Sequence, residues 1–490
     1  MTDAPREGAV GLRRELLDAI RLATDDLPWL RSVTLAGSFA TGDSLDGVSD
    51  IDLIVVADRL DADRLHEMQS TCRNRLVAVL ASYGWELFIN MTLGPLKFDR
   101  DRLAVLHLMP YTVEGHIRHA IDSPFTCLDW QNAPIVYRRS LGEVYPVFGL
   151  QPSHFLSARR GLGDYLCDLR GGVVSWREIV GDSTDIREVA RSKPMDERDR
   201  GEFGWHVLRF TMRNILKLLL RIDNPPSGDE LPLLFFEHLP RGSDAIVPLY
   251  RRLAECKRTK DFSTAPDDLI DRLTTFLSDA EAGLRAIFDV ESIRYVVVRH
   301  AKPEGLRTGP VRFLGRSDPG IAPETALGDV GSDIRRVVTS PLRRCVETAI
   351  GMGCEIAATD PRLIEIDYGR AEGMDYAELA ETFPEIVEAW KRGEDPKFPG
   401  GESTGDVLHR VVDFLRDPSS NESAILVTHN VVIRCMLGLA LNIPQAQWHR
   451  SSIPYATPFA FRWHPRYGLF VDLERALHRT IFADYERSYP

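Results

Sequence analysis

The sequence predicts a multidomain α/β protein, and three observations support this fold class. The chain has 490 residues, whereas a single domain usually has about 100–200. Short apolar runs typical of strands alternate with helical patterns in residues 1–150 and again in residues 291–490. Residues 151–290, between these parts, lack strong strand patterns. We therefore expect three domains with these bounds: an N-terminal α/β domain, a helical middle domain and a C-terminal α/β domain.

Hydrophobic periodicity predicts the elements of the first two parts. The N-terminal part should contain one helix and four strands, at "LRRELLDAIRLA", "SVTLAGSF", "DIDLIVVA", "WELFINMTL" and "LAVLHLMPY". In the middle part, "WHVLRFTMRNILKLLLRI" has the wide apolar face of a buried helix. A second helix is expected over 264–288, where Pro266 lies in the first turn and Asp267 and Asp268 favour the N-terminus.

The C-terminal part returns to alternating strands and helices. Strands are expected at "IRYVVVRH", "DIRRVVTSP" and "SAILVTHN", with helices at "DYAELAETFPEIVEAWKRG" and "STGDVLHRVVDFL" between them. This order is typical of a sheet covered by helices on both faces, an α/β sandwich. In such sheets ligands bind at the carboxyl ends of the strands.

Charge and composition exclude several classes of function. The chain has 60 Lys and Arg against 72 Asp and Glu, a net charge of −12, which disfavours non-specific binding to nucleic acid. Its start lacks the pattern of a secretory signal, and its apolar segments are shorter than the ~20 residues of a membrane helix. The seven cysteines are scattered, without CxxC spacing, which favours reduced thiols. We expect a cytoplasmic protein without a membrane partner; oligomerisation is left open.

Cationic and imidazole side chains follow apolar strands of the C-terminal part. If these strands are parallel neighbours, the side chains converge on one point and form a pocket for an anion. A phosphate group, with a charge of about −1.5 to −2 near neutral pH, suits such a pocket, and guanidinium groups match its oxygens two at a time. The residues in question are Arg299 and His300, Thr428 and His429, and Ser340 with Arg344.

Several motifs in this part, in one fixed order, resemble those of the histidine phosphatase superfamily with the phosphoglycerate-mutase-like fold. The resemblance covers residues 292–475 and rests on "RHA", "GRSDPGIAPE", "SPLRRCVETA", "LIEIDYGRAEG", "PGGES" and "VTHNVVIRCML". The family's fold and phosphoryl-transfer chemistry are therefore expected here. Ala301 and Asn430 stand where the family has glycine, and Ala371 stands at its usual tryptophan.

The resemblance implies a role for each matching residue. His300 would attack phosphorus, while Arg299, Arg344 and His429 would hold the phosphoryl oxygens. Glu365 would protonate the leaving oxygen and then deprotonate the attacking water. No metal or other cofactor is expected for this reaction. Substrate contacts are expected from Arg316, Asn430 and Arg307. Two neighbours compete with these assignments, Arg343 with Arg344 and Glu372 with Glu365, while His409 is expected only on a helix face.

A second motif lies near the N-terminus, in "LAGSFATGDSLDGVSDIDLIVV". Gly37 and Ser38 end a strand and open a turn. Asp50 and Asp52 alternate on the next strand, so both carboxylates lie on one face. Two such groups repel unless a cation lies between them. Mg²⁺ is the natural partner, because it prefers oxygen ligands and commonly binds together with substrate phosphates.

Residues 10–115 resemble the nucleotidyltransferase superfamily with the polymerase-beta-like fold, whose sheet is mixed. By this resemblance, Gly37 and Ser38 would contact the phosphates of a nucleoside triphosphate, and Asp50 and Asp52 would bind Mg²⁺. The family usually places a third carboxylate on a later strand. The matching strand "LAVLHLMPY" offers His107 instead, so the third position stays open among the acids nearby: Glu86, Asp99 and Asp101.

The two resemblances together predict a fused enzyme that acts on a small-molecule phosphate ester. One site would hydrolyse the ester, and the other would transfer a nucleotidyl group to a small molecule. One alternative is a phosphatase whose N-terminal domain only binds nucleotide, and another is a phosphomutase. A toxin-type ribonuclease, suggested by "RGEFGWH" over 200–206, is disfavoured by the acidic charge.

Overall fold

Helices and strands alternate over the N-terminal third of the chain. The structure is a computed structural model that describes residues 4–42, 45, 50–94, 102–156, 164–182, 184–305, 312–322, 333–420 and 422–487. Arg307, Asp99 and Asp101 lie outside these residues. The elements up to residue 156 are α1 (Ala4–Asp25), β1 (Leu30–Ala36), α2 (Gly37–Thr41), β2 (Ile51–Ala57), α3 (Ala62–Ser82), β3 (Glu86–Asn90), β4 (Thr92–Leu93), β5 (Leu103–Thr112), α4 (Val113–Asp122), α5 (Pro124–Gln131), β6 (Ile135–Arg138), α6 (Leu141–Val144) and α7 (Ser153–Leu156).

The remaining elements fall into a helical stretch and a second strand-rich stretch. The first contains α8 (Asp164–Gly171), β7 (Val173–Gly181), β8 (Ile186–Pro194), α9 (Glu197–Leu220), α10 (Glu230–His238), α11 (Ser243–Thr259) and α12 (Leu269–Arg285). The second contains β9 (Ile293–Arg299), β10 (Val337–Thr339), α13 (Arg343–Gly351), β11 (Ile356–Thr359), α14 (Tyr376–Thr382), α15 (Pro384–Lys391), α16 (Thr404–Arg416), β12 (Ala424–Thr428), α17 (Asn430–Ala440), β13 (Pro458–His464), β14 (Gly468–Asp472), α18 (Arg475–Ile481) and α19 (Ala483–Arg487).

These elements form two compact units. The first unit comprises Met1–Val147, Ser157–Lys217 and Ile222–Ala280, and the second comprises Phe148–Leu156, Leu218–Arg221 and Glu281–Pro490. The three predicted domain bounds stay predictions. Among the described residues, no helix has both the length and the apolar character needed to cross a bilayer.

A mixed five-stranded sheet forms the centre of the first unit, in the order β3-β5-β2-β1-β6. β5 runs parallel to β2 and β3, whereas β1 runs antiparallel to β2 and β6. Leu16 and Ile20 of α1 share a buried core with Leu76 of α3 and Ile54 of β2. Burial of each such side chain contributes about 1.5–3 kcal/mol. The register places Asp52 of β2 beside both Ala36 of β1 and His107 of β5.

The middle region differs from the prediction of a helical domain over 151–290. Helices α9 to α12 are present, but β7 and β8 form a hairpin that joins β4 in a three-stranded antiparallel sheet. The sequence did not indicate these strands because β8 is mostly polar and exposed. Exposed ion pairs connect the two strands of the hairpin, with Arg177 2.6 Å from Glu188 and Arg191 2.9 Å from Glu178, and Ile179 of β7 is buried in the core of the first unit.

A six-stranded sheet forms the centre of the second unit, in the order β11-β10-β12-β9-β13-β14. The first four strands are parallel, and β13 runs antiparallel to β9. The expectation that β9, β10 and β12 are parallel neighbours is therefore confirmed. Cys345 and Ala349 of α13 pack in one core cluster with Val298 and Val427 of the sheet, which fixes α13 beside the strand ends. The helix predicted over 375–393 is instead two helices, because Pro384 starts α15 and cannot continue α14.

Candidate active site

The carboxyl ends of β9 and β12 bring two imidazole rings together in the second unit. The backbone N–H of His300 donates to the carbonyl oxygen of Thr428 at 2.9 Å, so the two strand ends are joined directly. The ring centroids of His300 and His429 lie 5.1 Å apart. Nε of Arg344 lies 3.3 Å from Nε2 of His300. Strand ends that are distant in sequence thus form one cationic pocket.

The hydrogen bonds of His300 determine which of its ring nitrogens carries the proton. Nδ1 lies 2.7 Å from the carbonyl oxygen of Ala301. A carbonyl only accepts, so Nδ1 carries the proton. Nε2 is then an acceptor, and it receives the N–H from Nε of Arg344. Burial lowers the pKa of His300 to about 3, aided by the charges of Arg344 and Arg299 and opposed by the bond to Ala301. The ring is therefore neutral near pH 7, with a lone pair on Nε2.

Arg344 lies in the first turn of α13 and is completely buried. Its Nη1 donates to the carbonyl oxygen of Ser317 at 2.6 Å, and its Nη2 donates to that of Gly315 at 2.9 Å. Arg343, the competing residue, is exposed and pairs with Glu347 at 2.5 Å. The structure therefore places Arg344, and not Arg343, beside His300.

Glu372 supports the loop that holds Arg344. Its carboxylate accepts hydrogen bonds from three successive backbone N–H groups, those of Gly315 at 3.0 Å, Arg316 at 3.3 Å and Ser317 at 3.1 Å. The same loop presents the two carbonyl groups to which Arg344 donates. Glu372 is thus held as an acceptor of backbone N–H groups, whereas the competing acid Glu365 lies at the strand ends.

We expect Glu372→Ala to lower both the melting temperature and kcat for phosphate release, the latter by about tenfold. The change leaves backbone N–H groups without an acceptor, at a cost of about 1–3 kcal/mol, and it loosens the loop around Arg344. Steady-state kinetics and thermal unfolding measure the two effects. Glu381→Ala, which removes an exposed carboxylate, is the matched control. An unchanged kcat in Glu372→Ala would show that the loop does not position Arg344.

Arg299 is held by a loop that follows α17. Its Nη1 donates to the carbonyl oxygen of Ile453 at 2.6 Å, and its Cζ lies 3.7 Å from the centre of the Tyr455 ring, which favours a charged guanidinium. Nε of Arg299 is buried, and no described residue accepts a hydrogen bond from it. This donor is available to a ligand oxygen. No pattern in the sequence indicated Tyr455, because it lies in no motif and contacts a residue far away in the chain.

Glu365 is buried against the first turn of α17, although it lies far from that helix in the sequence. Its Oε1 accepts from the backbone N–H of Ile366 at 3.0 Å and from that of Val431 at 3.2 Å. Burial raises the pKa of Glu365, although these N–H groups and the charges of Arg299 and Arg344 oppose the shift. The carboxyl group therefore keeps its proton to a higher pH than an exposed glutamate does, as a general acid requires.

His429 completes the buried part of the pocket. Its Nε2 lies 2.7 Å from Oγ of Ser340 and 3.3 Å from Sγ of Cys345. Burial lowers the pKa of His429 well below its ordinary value, and the nearby His300 and Arg344 act in the same direction. A neutral ring can contribute a hydrogen bond but no formal charge. Thr348, another residue that sequence analysis did not single out, accepts the N–H of Ala301 at 2.9 Å.

The structure locates two of the three expected substrate contacts, Arg316 and Asn430. Nη2 of Arg316 pairs with Glu402 at 3.1 Å, and Asn430 is the first residue of α17. The roles of both residues, and that of Arg307 outside the described residues, stay predictions. His409 is exposed on α16, as expected of a helix-face residue.

The Gly-Ser motif of the first unit lies against Asp52. Gly37 has a φ of 74°, and a Cβ there would come within 2.2 Å of Oδ2 of Asp52, so only glycine fits between α2 and that carboxylate. Ser38 follows in α2. Oδ1 of Asp52 lies 3.0 Å from Nδ1 of His107. Burial acts to lower the pKa of His107, but the hydrogen bond and charge of Asp52, with a contribution from Asp50, raise it overall.

No carboxylate among the described residues occupies the third position beside Asp52. His107 stands opposite Asp52, and Asn90 of β3 stands opposite His107. Glu86 lies four residues before Asn90 in β3, roughly 13 Å along the strand, so it is not the third ligand. The described residues contain no group of three or more His, Cys, Asp or Glu side chains that could hold a metal ion. Asp50 and Asp52 still suit Mg²⁺, which commonly binds one or two carboxylates and takes its other ligands from phosphates and water.

Comparison with known proteins assigns the His300 site of the second unit to a class. Residues 295–474 match the model of the histidine phosphatase superfamily (branch 1). The C-terminal part of the chain is thus a histidine phosphatase domain, as the motifs predicted. This match does not extend to the first unit, for which the nucleotidyltransferase fold stays a prediction.

Particular relatives share this similarity over part of the chain. The bifunctional protein Rv2228c of Mycobacterium tuberculosis is 31% identical over 179 residues, which are 34% of this chain and 48% of that protein. The chain thus spans about half the length of this relative. Phosphoserine phosphatase 1 of Hydrogenobacter thermophilus is 27% identical over 39% of this chain and 96% of that protein. Among solved structures, the mycobacterial glucosyl-3-phosphoglycerate phosphatase Rv2419c is 22% identical over 37% of this chain and 97% of its own, with a TM-score of 0.30.

Proposed function

We propose that the chain is a bifunctional enzyme that hydrolyses a small phosphate monoester through a phosphohistidine at His300. The observation that carries this proposal is the unprotonated Nε2 of His300, which faces the fully buried cation Arg344 at 3.3 Å. The names of relatives such as phosphoserine phosphatase 1 and fructose-2,6-bisphosphatase of Saccharomyces cerevisiae support a small-molecule phosphate ester as the substrate class.

The reaction has two steps, each with a defined proton transfer. In the first, Nε2 of His300 attacks phosphorus, the bond to the leaving oxygen breaks, and Glu365 gives its proton to that oxygen. In the second, the Glu365 carboxylate takes a proton from water. The water oxygen then bonds to phosphorus, and the N–P bond breaks. Arg299 and Arg344 stabilise the charge on the phosphoryl oxygens in both steps.

A panel of phosphate esters, assayed for release of inorganic phosphate, tests this proposal. Hydrolysis of at least one ester is expected, with a base-stable and acid-labile phosphoprotein trapped during turnover. Hydrolysis without any such intermediate would contradict the covalent route. A phosphomutase would move the phosphate to another position of the same molecule instead of releasing it, and ³¹P NMR of the products separates the two outcomes.

For the first unit we propose Mg²⁺-dependent transfer of a nucleotidyl group from a nucleoside triphosphate to a small molecule. Asp50 and Asp52 would hold the ion, which would neutralise phosphate charge when bound, and Gly37 and Ser38 would contact the phosphates. The contact between Gly37 and Asp52 supports this assignment. The alternative is a domain that binds nucleotide without turnover. His107 favours that alternative, since it stands where the family has a carboxylate.

Removal of Mg²⁺ should separate the two activities. We expect a chelator to stop pyrophosphate release from nucleoside triphosphates and to leave phosphate release from esters unchanged, because no metal takes part in the histidine reaction. Both products are measured in the same sample before and after excess Mg²⁺ is restored. Nucleotide binding by calorimetry without any pyrophosphate release would favour the binding-only alternative. A phosphatase that loses activity with the chelator would overturn the metal-free mechanism.

A further inference from the structure

A row of aromatic and basic side chains lies along one face of α9 in the first unit. Trp205, Arg209, Arg213 and Lys217 follow one another at intervals of four residues. In an α-helix this spacing places successive side chains on the same face, about 6 Å apart. The row is distinct from both sites described above.

The positive charges of this row exceed the negative charge beside them. The Lys217 side chain is only 1% exposed and pairs with Asp129 of α5. Arg213 lies 4.0 Å from the same carboxylate oxygen and also donates to the carbonyl oxygen of Pro225 at 3.2 Å. One carboxylate thus serves two cations. Arg209 is half-buried and has no ion pair or hydrogen bond with any described residue; its Cζ lies 5.4 Å from the adjacent Phe210 ring.

A buried tyrosine lies beside the row. The rings of Tyr250 and Trp205 are 4.9 Å apart, and no described residue forms a hydrogen bond with the Tyr250 hydroxyl. Burial raises the pKa of Tyr250, while the charges of Arg209 and Arg213 act to lower it. Arg209 and Arg213 lie one and two turns beyond Trp205 on the same face of α9, the face that meets Tyr250. The carboxylate of Asp229, which also acts on Tyr250, is 3.3 Å from Arg251 and so already has its own cation.

We propose that Arg209, Arg213 and Tyr250 bind the phosphate group of a small molecule. Arg209 is a partly buried cation without a counterion of its own, and Arg213 shares Asp129 with Lys217. An anion that accepts hydrogen bonds from both guanidinium groups would balance this charge. A phosphate group suits two guanidinium groups and a hydroxyl, because it carries up to two charges and several acceptor oxygens. The adjacent Trp205 and Tyr250 rings would contact the organic part of a phosphate ester, if the phosphate belongs to one.

Trp205 provides a local reporter for the test. The full-length chain is titrated with inorganic phosphate and, separately, with AMP, and the Trp205 signal is taken as the fluorescence difference between the wild type and Trp205→Phe. We expect a saturable change that Arg209→Gln with Arg213→Gln weakens by about tenfold, a loss of ~1.4 kcal/mol. Tighter binding of AMP identifies an ester as the ligand, whereas equal affinities identify the free anion.

Two controls keep the proposal falsifiable. Arg252→Gln removes an exposed positive charge from the neighbouring helix and should leave both affinities unchanged. Arg209→Gln alone should keep the fold, since Arg209 loses no ion pair or hydrogen bond with a described residue, and it should raise the melting temperature in phosphate-free buffer. A Trp205 signal that does not respond to either ligand, or affinities that are the same in the double variant, would overturn the proposal.

Discussion

His300→Ala is expected to abolish phosphate release, with kcat lowered by roughly 10,000-fold or more. The substitution removes Nε2, the unprotonated ring nitrogen to which we assign the attack on phosphorus. His429 is neutral as well, but its Nε2 lies 2.7 Å from the Ser340 hydroxyl. The measurement is the initial rate of phosphate release on the best ester of the panel.

Two further variants distinguish loss of the nucleophile from loss of the fold. His300→Asn retains an amide that can donate to the Ala301 carbonyl oxygen, as Nδ1 does, but it has no nucleophilic atom at the position of Nε2. We expect it to melt close to the wild type and to be as inactive as His300→Ala. His409→Ala, which removes an exposed imidazole, should be fully active. Substantial turnover in His300→Asn would show that the reaction does not pass through this residue.

The phosphatase half of the chain was predictable because its chemistry lies at strand ends. Runs such as Tyr295–Val298 are apolar on both sides, so their position in a parallel sheet follows from the sequence, and the polar residue after each run must lie at one edge of that sheet. The choice of Arg344 over Arg343 also followed from the motif. The structure adds the reason. Cys345 and Ala349 pack in the core, so the face of α13 that carries Arg344 is directed inward.

Other features were not predictable, because they depend on contacts between distant residues. In the hairpin of β7 and β8, the strand β8 is mostly polar and exposed, and its pairing with β7 is not visible in either run of residues alone. Tyr455 packs on Arg299 across a separation of more than 150 positions, and Glu372 acts on Arg344 only through an intervening loop. In the first unit, the motif assigned Gly37 and Asp52 to one site, whereas no pattern indicated that His107 would form a hydrogen bond with Asp52.

The partners of each arginine separate catalytic cations from structural ones. Arg344 donates to the carbonyl groups of Gly315 and Ser317, and Arg299 donates to that of Ile453. Carbonyl groups fix a guanidinium without cancelling its charge, so that charge remains available to a phosphoryl group. Carboxylates cancel the charge of other arginines in the same unit. Arg362, for example, binds both Asp360 and Asp417.

Arg434 belongs to the first of these groups, although sequence analysis did not single it out. Its Nε donates to the carbonyl oxygen of Ser451 at 2.8 Å. Burial lowers the pKa of Arg434, while Tyr368 and Glu365 oppose this shift. Among the described residues, Arg434 thus joins Arg299 and Arg344 as an arginine that donates to a carbonyl oxygen. This arrangement favours a dianionic phosphoryl group over a neutral ligand.

Glu365→Gln is the second substitution with a large expected effect, and its size should depend on the leaving group. A glutamine cannot protonate the leaving oxygen, so we expect kcat for an alkyl phosphate to fall by about 100- to 10,000-fold. An aryl phosphate such as p-nitrophenyl phosphate, whose leaving oxygen needs no proton, should lose far less in the phosphorylation step. Rates on the two esters, measured side by side in the wild type and the variant, give the ratio.

The pH dependence provides an independent test of the same role. The reaction needs His300 unprotonated, which holds above a pKa of about 3, and Glu365 protonated, which holds below a pKa that burial raises. For the wild type, kcat/KM on the alkyl ester should therefore fall as pH rises through the pKa of Glu365, and this fall should be absent in Glu365→Gln. Glu402→Gln, which alters a glutamate already paired with Arg316 and Arg410, should keep the wild-type profile. An identical loss on both esters, with the alkaline limb unchanged, would mean that Glu365 supports the fold of α17 and that the proton comes from another group.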